Sequence, residues 1–197
     1  RYDDVAFDGY VIQPFPVEHR GGVAYGYAFV EDERPGRFDP ALAERLGVRP
    51  GPDFGRLQRG ETVAGVAPEQ VVGAPRAGRR VVLTGDTRPC QTVEEFARGA
   101  DLLVHEATFL DSERARARQT GHSTARQAAE VARDAGVKAL ALTHLSVRHF
   151  PRDARAEAEA VFGHDVWTLR DFDVATIPFP ERGALEWTRG RADGAPS

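Results

Sequence analysis

The sequence predicts an α/β fold, a mixed sheet with helices packed on one face. Two observations lead there. From residue 79 onward short hydrophobic runs alternate with segments of helical period, the pattern of helices laid over a sheet. Three of those runs stop abruptly at residues able to bind a metal or move a proton: VVLTGD at Asp86, DLLVHEAT at His105 and Glu106, and LALTHLS at His144. Open α/β sheets bind ligands outside the carboxyl ends of their strands. One polar strand end is common, but here three fall within about sixty residues, with His122 in a Gly-His-Ser turn between them.

Each element has its local reason. Residues 5 to 30 read as strands, VAFDGYVIQPFPVEH followed by GGVAYGYAFVE, where aromatic and small residues alternate. From Arg34 to Gly60 the chain carries four prolines and five glycines, the composition of an irregular projecting arm with one short helix, Pro40 to Leu46. That stretch holds six arginines (34, 37, 45, 49, 56 and 59) against three acids, a local charge of +3. RRVVLT is a strand. TVEEFAR is a helix with Thr92 and Glu95 as a capping box and Gly99 as its stop. DLLVHEA is the next strand, and a polar helix covers about Ser112 to Gln119. STARQAAEVARDAG sets Ala125, Ala128, Ala129 and Ala132 on one face, with Thr124 and Gln127 as a second capping box. KALALTH is a strand, DARAEAEAVFG a helix, and VWTL and FDVATIPF close as strands. The Gly- and Ala-rich tail from Arg189 reads as loose.

Composition bounds the function. A hydrophobic content of 41% and a charged content of 28% are ordinary for a globular domain, here one domain over 1–197. No apolar run approaches the roughly 20 residues of a membrane span. Cys90 is the single cysteine, so no internal disulfide forms, and an intracellular, cytoplasmic protein is the simpler reading. The net charge of −4 gives no global support for nucleic-acid binding, whereas the Arg34–Gly60 stretch gives local support. Methionine is absent, and the chain reads as part of a longer polypeptide.

The candidate site residues carry more than one reading. Asp86 can bridge two cations through its two oxygens, or cap the next turn. His144 can bind a metal as neutral imidazole, or bond to a neighbouring strand end. His19 ends another apolar strand and, taken alone, reads as structural. Glu106 and His122 can form an acid–base pair in which the carboxylate orients the ring. His149 and His164 have no evident partners in the sequence.

GDTRP, HEATF, GHSTA and THLSVRHF, in this order and spacing, together with GVRPGPDFGRLQRG upstream, resemble the C-terminal half of ribonuclease Z, the tRNA 3′-processing endonuclease of the metallo-β-lactamase superfamily. The resemblance runs from about His19 to Phe150. It implies an αββα sandwich, of which this chain supplies the C-terminal half with its arm. It implies two zinc ions, with Asp86 bridging them, His19 on one and His144 on the other. Glu106 and His122 would assist proton transfer at the leaving 3′ oxygen. Arg34, Arg37, Arg49, Arg56 and Arg59 would hold precursor tRNA, the arm of one subunit of a homodimer reaching the tRNA on the other. The family's first half carries a His-x-His-x-Asp-His motif that supplies most remaining ligands. No His-x-His occurs in this chain, so three expected ligands remain. Other readings are a small-ester hydrolase of the same fold and a non-catalytic, partner-dependent tRNA-binding half. A haloacid dehalogenase-type phosphatase needs an early Asp-x-Asp nucleophile. Its nearest match, DFDVA, lies after the Gly-Asp at Asp171 to Ala175.

Overall fold

The computed structural model describes residues 3–190, which divide into two compact units. The first joins the residues up to Val30 with those from Arg79 onward; the second is Glu31–Gly78.

The first unit is built on a seven-stranded sheet in sequence order: β1 (Val5–Phe7), β2 (Tyr10–His19), β3 (Gly22–Glu31), β4 (Arg80–Leu83), β5 (Leu102–Glu106), β6 (Leu140–Thr143) and β7 (Val166–Thr168). β1 pairs antiparallel with β2 and β3 with β4, whereas β4 to β7 run parallel. The sheet is mixed, as the sequence predicts. Arg20 and Gly21 turn the chain from β2 to β3 with φ of 29° and 68°. Positive φ at both centres of a two-residue loop gives a turn whose twist matches the strands it joins.

Cross-strand register decides which side is core. Ala28, Val82, Leu103, Leu140 and Val166 sit opposite one another in successive strands, and all are fully buried. Against this row pack α4 (Gln91–Ala97), α6 (Ala125–Asp134) and α7 (Pro151–Phe162), through Val93, Ala97, the four alanines of α6, Ala154, Ala158 and Phe162. Small alanines let α6 approach the sheet closely. The adjoining row on the other face contains Tyr27 and Leu83, which remain 46% and 38% exposed, and Phe29 is exposed nearby. That face is apolar and partly uncovered, as in one half of a sheet-on-sheet sandwich.

The capping box of α6 forms as expected, Thr124 Oγ1 accepting from Gln127 N–H and Gln127 Oε1 accepting from Thr124 N–H. The one expected on α4 does not. That helix starts at Gln91, and the Thr92 hydroxyl donates instead to the Pro16 carbonyl at 2.6 Å, tying α4 to β2. The polar helix is α5 (Arg114–Thr120), preceded by a 3₁₀ turn, Asp111–Glu113. Near the C-terminus β8 (Val174–Thr176) pairs with β9 (Glu186–Thr188) as a separate hairpin, with Trp187 stacked on Trp167. The tail beyond Gly190 lies outside the described residues.

The second unit is more regular than its prolines suggest. It holds three helices, α1 (Pro40–Arg45), α2 (Pro52–Gln58) and α3 (Pro68–Val71), each opened by a proline in its first turn. Proline suits that position because its missing N–H would have no intrahelical partner there. Ala43, Val48, Leu57, Val63, Val66 and Val71 form the unit's own core.

Candidate metal and acid–base site

The site gathers at the carboxyl ends of β2, β4, β5 and β6. His19 is the last residue of β2. Asp86 follows β4 through Gly85, at φ 62°. Glu106 is the last residue of β5, and His144 follows β6. His144 has φ of 55°, rare for a residue with a side chain and worth about 1–3 kcal/mol of strain that its surroundings must offset. His122 stands between α5 and α6 after Gly121. A Cβ on Gly121 would lie 2.7 Å from Arg20 N, so only glycine fits where the His122 turn meets the β2–β3 hairpin.

Glu106 organises the cluster. Its side chain is fully buried, yet both oxygens are saturated by donors. Oε1 accepts from Thr87 N–H at 3.1 Å and from His122 Nδ1 at 2.8 Å. Oε2 accepts from the N–H and the hydroxyl of Thr108, both at 3.0 Å. The Thr108 hydroxyl therefore gives its only proton to Glu106, and His144 Nδ1, 2.7 Å away, must be the donor in their contact. His19 Nδ1 donates to the Gly121 carbonyl at 3.0 Å. All three rings thus carry their proton on Nδ1 and offer the Nε2 lone pair to the common space. Orientation of a ring through its other nitrogen is the usual arrangement for ligating histidines.

Two clusters of ligand atoms result. Those of His19, Asp86 and His122 lie within 4.8 Å of one another. So do those of Glu106, His122 and His144, but Glu106 is already saturated, and that second cluster is a hydrogen-bond network. His144 Nε2 stands 3.6 Å from Asp86 Oδ2. There a ring lone pair faces a carboxylate with no donor between them, an opposition a cation relieves. The His19 and His122 ring centres are 4.7 Å apart, and those of His122 and His144 5.2 Å. Asp86 and His144 are 42% and 47% exposed, whereas His122 is 13% exposed. The donor set therefore fits a metal at an accessible edge, with a more enclosed imidazole–carboxylate pair beside it.

All five residues expected from the sequence are thus brought together. His105, adjacent to Glu106, is not among them. Its ring is fully buried, with Nδ1 bonded to the Glu106 carbonyl at 2.7 Å, and burial holds the imidazole below its ordinary range against the raising effect of that bond. Sequence reasoning missed Thr108 and Thr87. The Thr that closes HEAT, two residues after Glu106, was the available signal for the first; nothing local marks the second. The five candidate RNA-binding arginines differ among themselves. Arg37, Arg49 and Arg59 are exposed, and Arg37 and Arg59 border one depression of the second unit. Arg56 is bound to Glu61 at 2.9 Å and Asp53 at 3.3 Å, and Arg34 reaches the Ala77 carbonyl.

A family model described as a beta-lactamase superfamily domain matches residues 50–145. Among solved structures, the metallo-beta-lactamase fold protein YhfI from Bacillus subtilis aligns over 85% of this chain and 50% of its own, at a TM-score of 0.57 and 19% identity. Human tRNase Z, short form, aligns over 89% and 46%, at 0.54 and 23%. This is a metallo-β-lactamase-fold protein. Ribonuclease Z of Myxococcus xanthus is 57% identical over 91% of this chain and 60% of its own length, and that of Haloferax volcanii 50% identical over 88% and 57%. Within the fold, then, the chain is homologous to ribonuclease Z, over a segment that fits its C-terminal half. It spans about 60% of the length of those relatives.

Proposed function

We propose that this chain forms the C-terminal half of a zinc-dependent endoribonuclease that removes the 3′ trailer of precursor tRNA. What carries the reading is the set of Nδ1 hydrogen bonds, His122 to Glu106, His144 to Thr108 and His19 to the Gly121 carbonyl, which gathers the three imidazoles around Asp86, in a chain whose curated relatives bear the name ribonuclease Z. Asp86 would bridge two zinc ions, His19 holding one and His144 the other. Cations so held stabilise charge that gathers on the attacking and leaving oxygens of a phosphodiester.

The remaining residues have roles of their own. Glu106 fixes His122 through Nδ1, which leaves Nε2 as the ring atom that would exchange a proton with the substrate. A proton on Nε2 would pass to the 3′ oxygen as a water oxygen bonds to phosphorus and the bond from phosphorus to the 3′ oxygen breaks, leaving a 3′ hydroxyl on the tRNA and the phosphate on the trailer, while the proton shed by the water would go to a base outside this chain. His122 then returns to the neutral Nδ1–H tautomer. Arg34, Arg37, Arg49, Arg56 and Arg59 would grip tRNA phosphates and so position the substrate without reading bases, in a cytoplasmic homodimer.

Ligand arithmetic shapes the test. With three ligands divided between two ions, neither receives more than two from this chain. The rest would come from a segment corresponding to the part of the relatives that it does not match. Precursor tRNA is incubated with this chain alone and with that segment added, and the product ends are sequenced. Cleavage on the 3′ side of the discriminator base only when both are present supports the reading. Robust cleavage by this chain alone, with contaminating nuclease excluded, overturns the requirement for the second segment. One observation keeps a second reading, a partner-dependent tRNA-binding half: the chain has no His-x-His motif. Binding of tRNA with no cleavage in the combined sample would favour it.

A further inference from the structure

Asp86 is the ligand that the ring hydrogen bonds leave untied. His19 is joined to the His122 turn through the Gly121 carbonyl, and His122 to Glu106. Among the described residues, no hydrogen bond joins the Asp86 side chain to His19 or His122, although their ligand atoms gather within 4.8 Å. The residue that follows it, Thr87, is fully buried, and each of its polar groups has a partner.

Those partners surround the site. The Thr87 N–H donates to Glu106 Oε1 at 3.1 Å. Its carbonyl accepts from the hydroxyl of Ser123, also fully buried, at 2.7 Å. Its own hydroxyl accepts from Glu18 N–H at 3.1 Å and donates to the Arg88 carbonyl at 2.8 Å, with the Glu18 carbonyl 3.3 Å away. Glu18 precedes His19 at the end of β2, and Ser123 follows His122. One residue thus binds the chain neighbour of each histidine and the carboxylate partner of His122. A buried polar network satisfied in this way specifies one geometry, because loss of any partner leaves another buried group unpaired.

We infer that Thr87, with Ser123, is a positioning residue that sets the Asp86 carboxylate against the His19–His122 pair. The hydroxyl locks the Asp86 turn to β2, and the carbonyl locks it to the His122 turn. Valine has nearly the shape of threonine but cannot accept from Glu18 N–H. Alanine at 123 leaves the Thr87 carbonyl without its donor. Neither change removes a bond that orients one of the three rings. The meaning of this brace for a metal rests on the function proposed above.

Zinc affinity is measured by chelator competition in the polypeptide that supplies the full ligand set. Imidazole ¹⁵N spectra and amide exchange are measured in this chain. The variants are Thr87→Val, Thr87→Ser, Ser123→Ala and, as a control, Thr92→Val, which removes another hydroxyl bound to β2, at Pro16. Thr87→Val and Ser123→Ala should each weaken zinc binding about tenfold, the lower end of the effect of groups that orient a ligand, while all three rings keep Nδ1–H. Thr87→Ser and Thr92→Val should bind zinc as the unaltered protein does. The Glu18 amide should exchange slowly in the unaltered chain and in Thr87→Ser, and faster in Thr87→Val. Unchanged zinc affinity in Thr87→Val, an equal loss in Thr92→Val, or disruption of the three ring signals together overturns the positioning role. If the unaltered polypeptide binds no zinc, the proposed function fails, and Glu18 exchange still decides the brace: equal rates in Thr87→Val and the unaltered chain refute it.

Discussion

Glu106→Gln is nearly isosteric, and its consequences follow from the donors around the carboxylate. Four donors point at Glu106: Thr87 N–H and His122 Nδ1 at Oε1, and the N–H and hydroxyl of Thr108 at Oε2. An amide replaces one acceptor with an NH₂ group, and each orientation fails in a definite way. With NH₂ on the Oε1 side, Thr87 N–H loses its acceptor, and His122 must move its proton to Nε2 to accept at Nδ1. With NH₂ on the Oε2 side, Thr108 N–H is orphaned. The Thr108 hydroxyl must then turn its proton to His144 Nδ1, which reverses that ring instead. Either way one buried N–H goes unpaired, costing about 1–3 kcal/mol, and one histidine has its tautomer reversed, its proton moved from Nδ1 to Nε2. Urea denaturation reads the first effect, and ¹⁵N-edited NMR of the imidazoles reads the second. If all three rings keep Nδ1–H and stability changes by less than about 0.5 kcal/mol, the range of an ordinary surface change, the network reasoning is refuted.

Three further outcomes are expected. His105, held below its ordinary range by burial, remains neutral in the folded chain while the unfolded chain takes up a proton below about pH 6.5, so stability is independent of this group above that pH and falls beneath it by up to about 1.4 kcal/mol per pH unit. Urea midpoints against pH should show a slope that His105→Gln removes; an unchanged slope contradicts the assignment. Thr124→Ala should cost about 1 kcal/mol by opening the α6 capping box, and a change below about 0.3 kcal/mol in urea titrations would mean the cap is dispensable. Arg37→Ala and Arg49→Ala should each weaken tRNA binding and lower the salt slope by roughly one, and Arg56→Ala should do less, because Glu61 and Asp53 already engage that guanidinium; equal effects in binding titrations would count against the distinction.

Much of this site was legible because strand ends have a readable grammar. A run such as LALT that halts at His144 can only place that histidine at the sheet edge, and parallel pairing of β4, β5 and β6 brings Asp86, Glu106 and His144 to one edge. Thr108 escaped because its importance lies in geometry, one hydroxyl between a carboxylate and a ring, of which its place at the end of HEAT was the one sequence signal. Thr92 misled because a capping sequence competes with tertiary partners, and here the Pro16 carbonyl won its hydroxyl. The prolines of the second unit misled for the opposite reason. Pro40 opens the short helix that was expected, but Pro52 opens a second one inside a stretch whose composition suggested irregular chain. The hairpin of β8 and β9 was half seen, since Glu186–Thr188 is too short to carry an alternation.

The division of roles around His122 is the point on which the functional account turns, because its ligand atom lies as near to His19 and Asp86 as a metal ligand's would. Bound zinc is measured by atomic absorption after dialysis, in the polypeptide that supplies the full ligand set, for Asp86→Ala and His122→Ala. Asp86→Ala should lose the metal with the bridge, and His122→Ala should keep it while losing cleavage of precursor tRNA. Zinc stripped by His122→Ala, or retained by Asp86→Ala, would contradict the account.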